Sequence, residues 1–140
     1  MITIRIWHQK LIPYLDRQRL LGQHRECCAL RGKGWGRKHS VVDYVFTYSP
    51  AHLCAYHLLI MKEMQKRGYQ PDNAWSNIGY RGAALGHDEE WSEYSTFAQR
   101  LFLSAVEKED FMIYHEHNNA YLKECLENLK DKGVEINYDK

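Results

Sequence analysis

The chain has no run of about 18–20 uninterrupted apolar residues, the length a helix needs to cross a bilayer. Its first ten residues contain Arg5, His8 and Gln9, so the apolar core of a secretory signal is missing as well. Both absences lead us to expect a cytoplasmic protein with no membrane partner. None of the four cysteines forms a Cys-x-x-Cys pair, which removes zinc knuckles and thioredoxin-type redox motifs. Cys27, Cys28, Cys54 and Cys125 read instead as reduced thiols packed as small apolar side chains. Internal repeats, low-complexity tracts and linkers are also lacking. A length of 140 residues with 44% hydrophobic content then fits one domain over 1–140 with one modest core.

What is present is a lopsided charge. The net charge is +1, yet residues 1–40 hold nine Lys and Arg against Asp16 and Glu26, a local +7. The other hundred residues carry −6. Such a division suggests a polyanion-facing N-terminal part on an otherwise soluble body.

The hydrophobic pattern predicts an all-α fold, a compact domain of three to four helices joined by long aromatic-rich loops. Ile2 to Trp7 alternates like a short strand or an extended arm across the core. Pro13 suits the first turn of a helix running from Tyr14 to about Leu30, weakened at Gly22. Val41 to Tyr48 reads as extended and aromatic. The clearest helix is capped by Ser49, has Pro50 at its first position and carries a stripe through Leu53, Tyr56, His57, Ile60, Met61 and Met64. It ends with Lys66 and Arg67 in the last turn and Gly68 just beyond. Tyr69 to Gly86 reads as loop. Asp88 caps a third helix through Trp91, Tyr94, Phe97, Leu101 and Phe102. A fourth spans about His117 to Lys132, with Tyr121, Leu122, Cys125, Leu126 and Leu129 inward and Gly133 ending it.

Two stretches can carry chemistry. In Gly22-Gln23-His24-Arg25-Glu26-Cys27-Cys28, Glu26 is one of two acids in the basic segment, and on a helix it shares a face with Arg19, Gln23 and Lys33. A carboxylate held beside a phosphate-binding surface opposes the ligand's charge unless it has a task, such as stabilising a cation at a sugar carbon. An ion pair with a neighbouring arginine is the plainer alternative. In Arg31-Gly32-Lys33-Gly34-Trp35-Gly36-Arg37-Lys38-His39, glycines let backbone N–H groups approach phosphates, the basic side chains add charge, and Trp35 can stack on a base. The spacing is not that of a nucleotide-triphosphate loop. A flexible helix connection is again the plainer reading. The eight histidines suggest no metal: His24-x-Glu26 lacks the downstream Pro-Cys-x-x-Cys of zinc deaminases, and His115 and His117 fall on different helix faces.

Several of these segments resemble the pyrimidine-dimer DNA glycosylase family, whose founding member is a bacteriophage ultraviolet-damage endonuclease. They are Ile6-Trp7-His8, Leu20 to Glu26, Lys38-His39 and Met64 to Tyr69. The likeness is closest to the bacterial branch, where Ala29 to Gly36, Tyr44 to Thr47 and Glu116-His117-Asn118 also look familiar. The resemblance implies an all-α fold and a cofactor-free glycosylase with associated abasic-site lyase activity on damaged duplex DNA. In such an enzyme the N-terminal α-amine, here that of Met1, forms an imine at C1′, and β-elimination breaks the strand. The family's essential Glu falls on Glu26 and its DNA-contacting Arg on Arg25. The family's spacing puts the amine near Ile4 or Arg5. That leaves a later start, extra residues that fold back, or a substitute such as Lys10. The phage enzyme's aromatic-rich tail is missing, so the lesion stays open among a pyrimidine dimer, another damaged base and an abasic site. The expected DNA surface comprises Arg5, Gln23, His24, Arg25, Arg31, Lys33, Trp35, Arg37, Lys38 and His39, on a monomer. A non-catalytic nucleic-acid-binding module using the same basic half is the alternative.

Overall fold

The structure is a computed structural model that describes residues 5–38 and 41–138. Among these residues it is helical without strands, its only β pairing being an isolated bridge between Tyr80 and His87. The helices are α1 (Arg17–Arg31), α2 (Pro50–Lys66), α3 (Glu89–Ser92), α4 (Ser95–Glu107) and α5 (Asn119–Asp131), with 3-10 turns at Gln9–Tyr14, Asp43–Thr47 and Asn73–Ser76.

α2 is the central element, packed between α1 and α4. Its sequence explains the position. Leu53, Cys54, Ala55, Tyr56, His57 and Ile60 are all solvent-inaccessible, so apolar surface runs around most of the helix rather than along one stripe. Ser49 accepts from the Ala51 N–H and Pro50 opens the helix, while Gly68 beyond its end takes φ +88°, as the cap signals predict. The main core joins Ile6, Leu11, Leu20, Leu30, Tyr56 and Ile60 to Leu122, Cys125 and Leu129 of α5. A smaller cluster gathers Ala51, Cys54, Ile78, Trp91 and Ala98 around the N-terminal turns of α2.

Three local expectations change. Val41 to Tyr48 is not extended. A 3-10 turn places Val42 and Val45 on one side, where both are fully buried, since side chains three apart eclipse in that helix. The first helix does not begin at Tyr14. Pro13 lies in the Gln9–Tyr14 turn, Leu15 is extended and buried, and Asp16 precedes α1. The third helix starts at the Asp88 cap but breaks after Ser92, where the Ser95 hydroxyl donates to the Ser92 carbonyl at 2.6 Å. Ahead of the first turn, Arg5 to His8 takes no regular structure and crosses the core as an arm, with Ile6, Trp7 and His8 buried.

Candidate active site

α1 turns two functional faces in different directions. On one, a cavity of about 240 Å³ is lined by Arg5, Trp7, Gln18, Arg19, Gly22, Gln23, Arg25 and Glu26. Glu26 is half-buried and Arg25 exposed. Gly22 lies beside the Arg25 guanidinium, and a Cβ there would make only an ordinary 3.7 Å contact with it. Three arginines therefore wall a cavity that contains one carboxylate. Arg5 pairs with Glu124 of α5 and Arg19 with Asp16, both at 3.4 Å. Phosphate or a developing sugar cation would meet complementary charge here: the arginines suit the first, Glu26 the second.

Gln23 belongs to this wall in a different way. It is almost fully buried, its Oε1 accepting from the Trp7 N–H at 2.7 Å and its Nε2 donating to the Arg5 carbonyl at 3.0 Å. Read from the sequence as a DNA contact, it is committed to the protein's own backbone. Tyr56 and Tyr121, which the sequence pattern shows only as inward positions, meet the same arm. Their signal is legible in retrospect, because a tyrosine on a buried stripe needs a partner for its hydroxyl.

The other face of α1 ends in a buried cation. Arg31 is 0% exposed. Its Nη1 donates to the Trp75 carbonyl at 2.9 Å and lies 3.0 Å from His57 Nδ1, while its Nη2 donates to the Asn77 carbonyl at 2.9 Å and the Tyr80 carbonyl at 3.1 Å. These bonds strap the loop after α2 onto α1. They leave the guanidinium no surface for DNA, against the sequence expectation, because loop carbonyls and His57 take up its terminal N–H groups in the protein interior. Arg81, which motif reading missed, completes the strap from the loop side. It donates to the Arg31 and Gly32 carbonyls at 2.9 and 3.2 Å, pairs with Asp88 at 3.0 Å and stacks over Trp91. A cation on the last carbonyls of a helix also complements its dipole.

His24, Cys28 and His57 converge between these faces, with ligand-type atoms within 4.8 Å of one another. His24 Nδ1 lies 2.8 Å from His57 Nε2. Because Arg31 donates to His57 Nδ1, the ring proton sits on Nε2 and points at His24. A metal at that nitrogen would have to displace this proton while facing the Arg31 charge, so the donor set fits a neutral hydrogen-bonded pair better than an ion. Burial, then the Arg31 charge and His24, hold His57 well below its usual pKa. Burial, then Arg25 and Arg31, lower His24.

The glycine-rich loop leaves α1 at Gly32. A Cβ on Gly34 would sit 2.7 Å from the Ala29 carbonyl, so the loop's tight return over the helix end requires glycine there. Lys33, Arg37 and Lys38 are exposed. Lys33 and Arg37 rim a second cavity of about 610 Å³ with Trp75 and the segment 81–85, so Lys33 does not join Glu26. Trp35 packs edge-on against Phe46 and Trp91 instead of standing clear for a base. Met1 and His39 lie outside the described residues.

No helix among the described residues is long and apolar enough to cross a membrane. The sequence model of one protein family, described as pyrimidine dimer DNA glycosylase, matches residues 4–77, more than half of the chain. The match begins beside Arg5, contains all of α1 and α2, and closes on the loop that Arg31 holds. The chain matches no curated protein and no solved structure.

Proposed function

We propose that this chain, which belongs to the pyrimidine dimer DNA glycosylase family, excises damaged pyrimidines from duplex DNA and then cuts the strand as an abasic-site lyase, with Glu26 at the reacting centre. The observation that carries this reading is that the arm leading to the N-terminus and the Glu26 carboxylate line one arginine-walled cavity. An imine mechanism needs both. The α-amine nitrogen bonds to C1′ as the bond from C1′ to the base breaks and the base departs. The sugar then opens to an imine, and loss of a C2′ proton expels the 3′-phosphate. Glu26 stabilises the positive charge at C1′ and carries protons in the elimination. An α-amine suits the first step, since its pKa of about 7.7–8.0 leaves a neutral fraction near pH 7 that lysine, near 10.4, lacks. The reaction needs no cofactor. Arg5, Arg19 and Arg25 hold the phosphates beside the cavity, and Lys33, Arg37 and Lys38 extend the basic surface. The protein acts as a monomer in the cytoplasm.

Borohydride reduction in the presence of irradiated and abasic duplexes, with mass mapping of the attached residue, tests the reading. An adduct on the N-terminal amine with both duplexes is expected. An adduct with abasic DNA alone reduces the activity to that of a lyase, and binding without any adduct returns the protein to a non-catalytic nucleic-acid-binding module.

A further inference from the structure

Three consecutive carbonyls of the N-terminal arm are each held by a side chain from a different helix. Gln23 of α1 donates to the Arg5 carbonyl at 3.0 Å, Tyr121 of α5 to the Ile6 carbonyl at 2.6 Å, and Tyr56 of α2 to the Trp7 carbonyl at 2.6 Å. Gln23 also accepts from the Trp7 N–H at 2.7 Å, and its Oε1 lies 3.0 Å from the Tyr56 hydroxyl oxygen, whose single proton goes to the Trp7 carbonyl. Its amide thus offers the arm the donor and acceptor that a neighbouring strand would supply. The Arg5 side chain adds its ion pair to Glu124, one helical turn from Tyr121.

An arm without regular structure needs partners for its buried backbone groups, and any set of polar side chains could satisfy them. What is particular here is where the partners stand. Gln23 lies one turn before Glu26 on α1 and lines the same cavity. Tyr121 comes from α5, outside the stretch that carries the family likeness. We propose that Gln23, Tyr56 and Tyr121 are positioning residues that lock Arg5 to Trp7 against α1 and so fix, on the wall of the Glu26 cavity, the arm from which the chain's reacting amine extends. The inference rests on the imine mechanism proposed above. An arm pinned at Arg5 gives the chain ahead of it a fixed point of departure on the wall of the cavity. A slack arm disperses the amine, and the loss falls on effective concentration and orientation at the reacting centre. Of the phosphate-holding groups only Arg5 belongs to the arm; Arg19, Arg25 and the exposed cations of the loop after α1 do not depend on how it is held.

The test is single-turnover borohydride trapping on an abasic duplex at saturating protein, alongside the dissociation constant for the same duplex. Tyr56→Phe and Tyr121→Phe remove one hydroxyl each and keep the ring in the core. Gln23→Ala removes the double contact. Tyr44→Phe is the control, since its hydroxyl meets His117 Nε2 at 3.0 Å and does not touch the arm. We expect each arm-facing Phe variant to trap about three- to tenfold more slowly and Gln23→Ala at least about tenfold, with affinity within about twofold and Tyr44→Phe near the parent rate. Amide exchange at Trp7 should accelerate in Gln23→Ala, an effect that does not depend on activity. Arm-facing variants that trap at the control's rate, or an unchanged Trp7 amide, overturn the positioning role while the mechanism stands. A parent protein that forms no adduct overturns the mechanism itself and the positioning role with it.

Discussion

Arg25 and Arg31 sit six residues apart on one helix, and both read from the sequence as DNA contacts, yet they do opposite things. Arg25 is exposed at the mouth of the Glu26 cavity, whereas Arg31 is wholly buried and solvated by loop carbonyls. Six steps of an α-helix turn the second side chain roughly 120° from the first, off the open face and into the packing against α2. The local +7 of the first forty residues therefore overstates the charge offered to a polyanion. One of its cations is an internal fastener, and its loss should cost folding rather than affinity.

The largest effect follows from that. Arg31→Gln takes the charged donor from the carbonyls of Trp75, Asn77 and Tyr80, and buried polar groups left without partners cost about 1–3 kcal/mol each, so about 3–5 kcal/mol in all is expected. Chemical denaturation at neutral pH should show a loss of that size. A variant that keeps its stability but binds DNA poorly would break the comparison and restore Arg31 to the interface.

Glu26→Gln should fall next. It retains the shape of the side chain in the Arg5–Arg19–Arg25 cavity and removes the charge and the proton acceptor. Strand cutting on an abasic duplex should drop by about 100-fold or more, while binding and melting temperature stay near the parent values. Cutting at the parent rate would remove Glu26 from the chemistry.

The helices were legible because their signals are local. Ser49-Pro50 and Gly68 bound α2, Asp88 starts α3, Asn118 caps α5 and Gly133 takes φ +81° beyond it. Glu26 stood out for a similar reason, as one of only two acids in a basic run. What the pattern could not show was direction: a hydrophobic stripe says that Tyr56 and Tyr121 point inward, but not that both hydroxyls end on the same arm, 65 residues apart in the chain. Gln23, Trp35 and Arg31 share this problem. Polar, aromatic and basic side chains suit DNA and suit buried backbone equally well, and only the tertiary contacts decide between them.

Acid should separate the two faces of α1 further. His57 on the Arg31 side and His117 under the arm are both buried, and burial, followed by the His8 charge, lowers His117 to about 3. In the unfolded chain both titrate near 6.5. The folded protein holds them neutral while the unfolded chain takes up protons below that value, so their contribution is complete above pH 6.5 and declines as pH falls toward the folded pKa. The slope approaches about 1.4 kcal/mol per pH unit for a group held neutral in this way, a loss of about 2 kcal/mol from His117 between pH 7 and 5, with His57 acting in the same direction. Denaturation at the two pH values measures it. A flat profile would mean that the histidines are protonated in place and that the bond from Arg31 to His57 Nδ1 is not made.

The smallest effect sharpens the comparison from the open face. If Arg25 and Lys33 each neutralise one phosphate, Arg25→Gln and Lys33→Gln should each lower the slope of log affinity against log salt by about one, with little change in stability. Measured over several salt concentrations on an abasic duplex, the slope counts phosphate contacts independently of cutting. Arg19 is the informative third case. It lines the cavity but already pairs with Asp16 at 3.4 Å, and neither partner is fully exposed. A phosphate would have to draw it away from that carboxylate, so Arg19→Gln should change the slope by less than Arg25→Gln does. Equal slopes would mean that DNA breaks the Arg19–Asp16 pair on binding and that the whole rim of the Glu26 cavity grips the backbone.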